Sequence, residues 1–173
     1  MSQFIESIKV ENQKAFLLDL HQQRVRETFA HFGKECSIDL EKIFKDLEHD
    51  EDGLYKLRIV YDLEGNFKSQ MLPYAFPEIE TFELVENNDF SYDFKFADRT
   101  EFEKMKKKAR AQEIIIVKNG QITDTSFSNL LFLKNKTWYT PKSFLLNGVQ
   151  RQNLLKQGKI KETEITLQNL NEF

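Results

Sequence analysis

Lys95 is the residue whose type and setting most clearly allow covalent chemistry. It lies in SYDFKFADRTEF, residues 91–102, where aromatic side chains alternate as on the buried face of a strand, so the lysine faces the other side. The alternating aromatic residues are Tyr92, Phe94 and Phe96. A free lysine has a pKa of about 10.4 and is protonated at neutral pH. Desolvation, or a nearby cation such as Arg99, would lower that pKa and make the amine nucleophilic; the alternative is an ordinary solvated lysine.

Arg24 is the second candidate, because its predicted helix places it beside an apolar face. The helix is predicted over residues 20–32, with Asp19 as its N-cap and Gly33 as its stop. Its buried face carries Val25, Phe29 and Phe32, with His21 and Arg24 on or next to that face. A guanidinium in that position needs an anionic partner. Arg24 therefore binds an anionic ligand, pairs with a local carboxylate or extends its charged end to solvent.

Two further segments could contact an anion or a ligand. LNGVQR places Gly148 directly before a predicted helix, and the N–H groups at a helix start bind phosphate readily, although a simple N-cap is the alternative. TDTSFSN is a polar break between two predicted strands. Its Asp124 is either an ordinary turn aspartate or a carboxylate directed at a ligand.

Composition limits the class of protein. The 173 residues are 40% hydrophobic and 31% charged, which is typical of a soluble globular protein with no membrane span. The N-terminus does not resemble a signal peptide, and the single cysteine favours a cytoplasmic location. The net charge of -3 argues against a nucleic-acid partner. The histidines, His21, His31 and His49, lack metal-ligand spacing, so no metal site is predicted. Sixteen phenylalanines indicate a large core or a subunit interface.

The order of the predicted strands and helices indicates an α+β fold in two small mixed domains. The predicted domains are residues 1–86 and 87–173, with Lys95 in the second. Hairpin turns are expected at Glu64-Gly65-Asn66, at Asn119-Gly120 and at Lys134-Asn135-Lys136. A basic helix is expected after Arg99, and its lysines are interpreted as a solvated face. A last helix is expected to begin at Gly148 and to end at Gly158.

Five segments, in this order, resemble the class IV aminotransferases, which are fold-type IV enzymes that use pyridoxal 5'-phosphate and resemble D-amino-acid aminotransferase in fold. They are the opening strand FIESIKV, the His-x-x-Arg helix LHQQR, the lysine segment KFADR, ITDTSFSNLLF, and YTPKSFLLNGVQR. The Lys-x-x-x-Arg spacing is closer to aminodeoxychorismate lyases than to branched-chain aminotransferases. The sequence departs from the family pattern in having Asp124 in place of glutamate and Gln150 in place of a hydroxyl residue.

The resemblance assigns a role to each candidate. Lys95 would hold the cofactor as a Schiff base and then move the substrate Cα proton, and Asp124 would keep the pyridine nitrogen protonated. Arg24 and the amides near Val149 and Gln150 would bind the phosphate, and Arg99 would orient the lysine or the phenolate side of the cofactor. The resemblance further assigns three residues to the cofactor site: Ser128, Asn129 and Gly148.

The resemblance also implies what the protein does. The first expectation is transamination between an amino acid and a 2-oxo acid, and the second is pyruvate elimination from an amino-chorismate-like substrate, giving 4-aminobenzoate. A non-catalytic relative that binds a ligand or partner is the third. A homodimer is expected, as is typical of these enzymes.

Overall fold

The computed structural model describes residues 2–47 and 52–173 and confirms the predicted α+β class. The chain divides into two compact units, Met1–Pro77 with Phe94–Asp98, and Glu78–Asp93 with Arg99–Phe173. The boundary predicted between residues 86 and 87 therefore falls inside the second unit, and the Lys95 segment groups with the first. His49 lies outside the described residues. Within the described part of the chain, no helix is both long enough and apolar enough to cross a lipid bilayer.

The first unit is an antiparallel sheet in the order β2-β1-β3-β4 with two helices packed on it. Its elements are β1 (Phe4–Glu11), β2 (Lys14–Ala15), α1 (Leu18–His31), α2 (Leu40–Lys45), β3 (Leu54–Tyr61) and β4 (Phe67–Pro73). The β3–β4 hairpin turns where the sequence predicts it, and Gly65 there has a φ of 86°. The Asp62 side chain closes this turn by accepting hydrogen bonds from the N–H groups of Glu64 (3.0 Å) and Asn66 (2.9 Å).

Strand β1 forms the centre of the first core because every second side chain points towards the helices. Phe4, Ile8 and Val10 are at most 1% exposed and pack in one cluster with Val25 and Phe29 of α1. This period of two is the pattern of a strand with one face buried. Position 6 belongs to the same face and carries a glutamate, which interrupts the apolar residues of that face.

Helix α1 differs at its start from the sequence-based prediction and agrees at its end. It begins at Leu18, so Asp19 lies in the first turn and is not the N-cap. Gly33 has a φ of 65°, and Lys34 N–H donates to Phe29 O at 3.0 Å, which is the hydrogen bond of a Schellman ending. Phe32, predicted on the buried face, is 41% exposed because the helix ends before it and the chain changes direction there.

The second unit contains two three-stranded sheets and two helices. Its elements are β5 (Phe82–Glu86), α3 (Thr100–Lys108), β6 (Glu113–Lys118), β7 (Gln121–Thr125), β8 (Phe132–Lys134), β9 (Thr137–Pro141), α4 (Val149–Lys156), β10 (Lys161–Thr163) and a 3-10 turn at Leu170–Glu172. The sheet orders are β5-β6-β7 and β10-β9-β8. In both sheets the hairpin is antiparallel, and the third strand pairs in parallel.

The two hairpins of the second unit turn at the predicted residues. Asn119 and Gly120 have φ values of 51° and 73°, and Asn135 and Lys136 have 50° and 63°. Positive φ at both central residues is the type I′ geometry, which matches the twist of the flanking strands. The turn at Asn119-Gly120 places β7 beside β6, and Asp124 near the end of β7 is buried.

Candidate active site

The segment around Lys95 is not the strand that its alternating aromatic residues predict. It is an extended, irregular stretch with one isolated bridge, between Phe96 and Phe4. Ile5 N–H donates to Lys95 O at 2.9 Å, and Ala97 N–H donates to Gln3 O at 2.8 Å. The segment thus pairs with the start of β1 only, which is too short a pairing for a strand. It still fixes the backbone that carries the partly buried Lys95 side chain.

Aromatic rings on both sides of Lys95 anchor the segment in the first unit. The Phe96 ring stacks on Phe4 with 5.2 Å between the ring centroids, and the Phe94 ring lies 4.5 Å from His31 and 5.3 Å from Phe32. Contacts of this kind contribute about 1 kcal/mol each beyond the buried area. The lysine therefore projects from a backbone that is held by packing as well as by hydrogen bonds.

Arg24 is paired with a local carboxylate, Glu6, which is one of the partners that the sequence leaves open for its guanidinium. Arg24 Nε lies 2.8 Å from Glu6 Oε1, and Arg24 Nη2 lies 2.5 Å from Glu6 Oε2. His21 Nδ1 lies 2.6 Å from Glu6 Oε2. The fork-shaped guanidinium matches a carboxylate at two points, and this arrangement fixes the plane of the arginine.

Glu6 remains ionised although its side chain is fully buried. Burial by itself would raise the pKa of this carboxyl, but the charge of Arg24 and the hydrogen bonds from His21 and Arg24 outweigh it and lower the pKa from 4.5 to about 2. Sequence reasoning did not select Glu6 as a functional residue. The available signal was its position on the same strand face as Phe4 and Ile8, where a charged residue needs a partner.

In the second unit, Asp124 is 6% exposed and is surrounded by hydrogen-bond donors. Its Oδ2 accepts from the N–H groups of Leu145 (2.9 Å) and Leu146 (3.0 Å), and its Oδ1 accepts from Asn129 Nδ2 at 2.7 Å. Burial raises the pKa of Asp124 above 3.8 even though these hydrogen bonds act in the opposite direction. Asp124 thus ties the end of β7 to the loop that precedes α4.

Asn129 and Gly148 complete this cluster. Asn129 Nδ2 also donates to Leu146 O at 2.9 Å, and a Cβ on Gly148 would lie 2.0 Å from Asn129 Oδ1. Gly148 has φ -65° and ψ 143°, which any residue can adopt, so the glycine is required by the close approach of Asn129 and not by backbone strain. The exposed Ser128 lies one residue away, with its hydroxyl 3.0 Å from Thr125 Oγ1.

Helix α4 begins next to this cluster with an N-terminus that suits an anion. Gly148 is its N-cap, no side chain caps the first N–H groups, and the first turn contains no acidic residue. Val149 is buried and Gln150 is exposed. The unsatisfied N–H groups and the helix dipole favour a negatively charged group at this end.

Arg99 contacts the turn after β7. Its Nη2 donates to Ser126 O, its Nη1 lies 3.5 Å from Tyr92 Oη, and its guanidinium lies 4.4 Å from the centroid of the Phe102 ring. The predicted contact of Arg99 with the lysine or the cofactor is not tested by these distances. They show a role in holding the turn between Asp124 and Asn129.

The structure thus groups the predicted site residues by unit. Arg24 and Lys95 belong to the first unit. The second unit contains Arg99, Asp124, Ser128, Asn129, Gly148, Val149 and Gln150, and it joins three of these, Asp124, Asn129 and Gly148, by direct contacts. Among the described residues, no group of three or more histidine, cysteine or acidic side chains could hold a metal ion.

Comparisons with known proteins give the class. A family model, amino-transferase class IV, matches residues 3–173, so the chain belongs to the class IV aminotransferase family. A crystal structure from Haemophilus somnus 129pt, provisionally named 4-amino-4-deoxychorismate lyase, is 34% identical, with a TM-score of 0.91 over 99% of this chain and 92% of that one. An uncharacterized protein of Haemophilus influenzae is 31% identical over 177 residues, covering 100% of this chain and 94% of that protein.

A more distant structure shares the fold and contains the cofactor predicted from the resemblance. An aminotransferase from Brucella abortus bound to pyridoxal 5'-phosphate is 16% identical, with a TM-score of 0.71 over 98% of this chain and 74% of that one. The family resemblance inferred from the motifs is confirmed, and pyridoxal 5'-phosphate is the cofactor of that family.

The residues present fit this cofactor. A phosphate suits the uncapped start of α4, whose first turn contains no acidic residue. A protonated pyridine nitrogen suits Asp124, because a carboxylate can accept about four hydrogen bonds. Protein groups donate three here, two to Oδ2 and one to Oδ1, so Oδ1 can accept one more. The first unit provides an amine, Lys95, on a fixed backbone and a preoriented guanidinium, Arg24.

Proposed function

We propose that the protein is a pyridoxal-phosphate-dependent aminotransferase acting on an amino acid and a 2-oxo acid. The observation that carries the proposal is the cluster of Asp124, Asn129 and Gly148, which joins a buried acid to the start of α4 in a chain of this family. When bound, pyridoxal 5'-phosphate supplies an electron sink that stabilises negative charge at the substrate Cα.

In this proposal, the second unit holds the polar ends of the cofactor. The N–H groups at Gly148, Val149 and Gln150 bind the phosphate at the positive end of α4. The Asp124 carboxylate accepts a charge-assisted hydrogen bond from the pyridine nitrogen and keeps that nitrogen protonated. Asn129 orients Asp124 through the 2.7 Å hydrogen bond to Oδ1.

The first unit supplies the covalent attachment and a second phosphate ligand. Lys95 Nζ would hold the cofactor covalently, and once the substrate amine has displaced it, the free Lys95 amine would take the proton from the substrate Cα. Arg24 adds a positive charge for the phosphate, and Glu6 fixes its orientation through the contacts at 2.8 and 2.5 Å. The substrate of this proposal is a small molecule, either an amino acid or an amino-chorismate-like compound.

Pyruvate elimination from an amino-chorismate-like substrate is the second candidate function. It is favoured by the spacing of Lys95 and Arg99 and by the provisional name of the H. somnus relative, 4-amino-4-deoxychorismate lyase. Both reactions begin by removing a proton from Cα and differ in the bond that changes next. A substrate assay separates them: keto-acid-dependent amino transfer supports the first, and pyruvate release with 4-aminobenzoate supports the second.

An absorption spectrum of the purified protein with added pyridoxal phosphate, before and after borohydride, tests the proposal. We expect a visible band that borohydride abolishes, with the reduced cofactor on the peptide that contains Lys95. The band should be missing in Lys95→Ala and retained in Lys107→Ala, a control on the exposed face of α3. No band in the wild type would favour the third candidate, a non-catalytic relative that binds a ligand or partner.

A further inference from the structure

The turn at residues 125–128 connects Asp124 to Asn129, and all four of its backbone N–H groups have hydrogen-bond partners. Three are satisfied within the turn. Thr125 N–H donates to Ser128 O at 2.8 Å, and the N–H groups of Phe127 and Ser128 donate to Thr125 Oγ1 at 3.2 and 2.9 Å. The fourth, Ser126 N–H, is the one that bonds outside the turn.

The partner of Ser126 N–H is Glu113, a buried carboxylate at the start of β6. Ser126 N–H lies 3.2 Å from Glu113 Oε1, which also accepts from Ile114 N–H at 2.9 Å. Glu113 Oε2 accepts from Lys106 Nζ at 2.9 Å, and the carboxylate is 1% exposed. Burial would raise the pKa of Glu113, but the hydrogen bonds from Ile114, Lys106 and Ser126 lower it, so the group is charged at neutral pH.

The other end of the same residue is held by Arg99, since Ser126 O accepts from its Nη2. Arg99 is the N-cap of α3, and Lys106, which pairs with Glu113, lies near the end of that helix. Opposite charges therefore act on the N–H and C=O of one residue, and both are anchored through α3. The two peptide groups on either side of the Ser126 Cα are therefore both held, and the residue has little freedom to rotate.

We propose that Glu113 and Arg99 are positioning residues: they hold Ser126 at its N–H and its C=O and thereby fix the spacing of Asp124 and Asn129 for the cofactor. The proposal rests on the proposed function for its consequence, because it explains how Asp124 stays oriented towards the pyridine nitrogen. The contacts of Glu113 and Arg99 with Ser126 exist in the protein without any cofactor and can be tested separately.

Amide hydrogen exchange by NMR on the cofactor-free protein tests whether Glu113 holds the Ser126 N–H. In Glu113→Ala we expect the Ser126 amide to exchange about tenfold faster or more, because its one partner is lost. The amides of Phe127 and Ser128, bonded to Thr125 Oγ1, should change much less. Glu113→Gln keeps an acceptor for Ser126 N–H and should restore most of the protection. Equal acceleration across the whole turn, or none at Ser126, would overturn the proposal.

Titration with pyridoxal phosphate tests whether this positioning affects cofactor binding. We expect the half-saturating concentration to rise about tenfold in Glu113→Ala and less in Glu113→Gln, with a displaced visible band because Asp124 is reoriented. Lys106→Met should resemble Glu113→Gln and, by leaving the strand unchanged, serves as the second variant if Glu113→Ala fails to fold. Lys104→Met is the matched control, since Lys104 lies on the same helix in an exposed pair with Glu101 at 3.2 Å.

The outcomes separate this inference from the proposed function. If wild type and Lys104→Met bind the cofactor and the Glu113 variants bind it equally well with unchanged Ser126 exchange, the inference is wrong and the proposed function stands. If wild type binds no cofactor, the proposed function fails, and the Ser126 exchange rate still decides whether Glu113 holds the turn.

Discussion

At the scale of single residues, Glu6 is the side chain whose loss should be most costly in the first unit. It is fully buried and is the shared partner of Arg24 and His21. Glu6→Gln should lower the free energy of unfolding at pH 7 by about 3 kcal/mol, because the Arg24 guanidinium loses its anion in a buried setting. Urea unfolding of both proteins measures this difference, and Glu11→Gln, on the same strand but 41% exposed, is the control.

The same residue predicts a pH dependence with a defined sign. The folded pKa of Glu6 is about 2, below its ordinary value of 4.5, so its contribution is complete above pH 4.5 and is lost as the pH falls towards 2. The difference in unfolding free energy between wild type and Glu6→Gln should therefore shrink between pH 5 and pH 3. A difference that stays constant over this range would contradict the assignment.

Asp124 should behave differently from Glu6, because its role is proposed to be catalytic and its pKa is shifted in the other direction. Burial raises the pKa of Asp124 above 3.8, so the stability that this carboxyl contributes is present below pH 3.8 and is lost as the pH rises through the folded pKa. Asp124→Asn should lower the melting temperature at pH 7, because an amide NH2 group replaces one of the two oxygens that accept hydrogen bonds in this buried site. It should lower the rate of amino transfer by about 100-fold or more, because the pyridine nitrogen loses its anion.

The matched control for Asp124→Asn is Asn66→Asp in the β3–β4 turn, which belongs to the other unit. There the Asn66 side-chain amide donates a hydrogen bond to the Asp62 carboxylate at 2.9 Å. Asn66→Asp should affect stability and leave the rate unchanged. An Asp124→Asn enzyme with full activity would remove Asp124 from the proposed mechanism.

At the scale of elements, the start of α4 depends on one missing side chain. Gly148→Ala should lower the free energy of unfolding by about 2 kcal/mol, because the new Cβ would lie 2.0 Å from Asn129 Oδ1. It should also weaken binding of pyridoxal phosphate by displacing the first turn of the helix. Thermal melting and a cofactor titration measure the two effects.

Two further measurements show whether the effect of Gly148→Ala comes from the collision with Asn129 or from placing any alanine at a glycine: a second variant, and a double-mutant cycle with Asn129→Ala. Gly158→Ala, where a Cβ meets nothing within 4 Å but φ is 66°, should cost about 1 kcal/mol of backbone strain and leave cofactor binding unchanged. In an Asn129→Ala background, Gly148→Ala should cost much less, since the colliding atom is gone. Additive effects would show that the two residues are not in contact.

At the scale of the whole molecule, both units expose large hydrophobic side chains. Phe76 of the first unit is 71% exposed, and Leu133 and Phe127 of the second are 50% and 49% exposed. Where such side chains form one contiguous patch, the patch is typical of a subunit interface. We expect a homodimer, and light scattering after size exclusion should give twice the mass of the chain at micromolar concentration. A monomer at every concentration would refute this expectation.

The local signals in the sequence were sufficient for most elements. The Asn-Gly pair at residues 119 and 120 and the glycine at position 33 predict their turn and helix end, because positive φ at these positions is a local property. The aromatic alternation around Lys95 led to the wrong prediction of a strand because it too is a local signal. A period of two indicates an extended chain, but it does not show whether a neighbouring strand is available to pair with it. That segment pairs with the start of β1 at Phe96 alone, and its rings pack in the core of the first unit.

The sequence by itself determined the family, most of the elements in their order and the hairpin turns, and it predicts the residues that would bind the cofactor. Only the tertiary structure decided which carboxylate pairs with Arg24, which backbone groups Asp124 binds, and that Glu113 reaches Ser126. These contacts join residues 18, 21 and 13 positions apart. Local propensity and periodicity act over a few residues, whereas contacts at such separations are set by how elements pack, and so they become visible only in the folded chain.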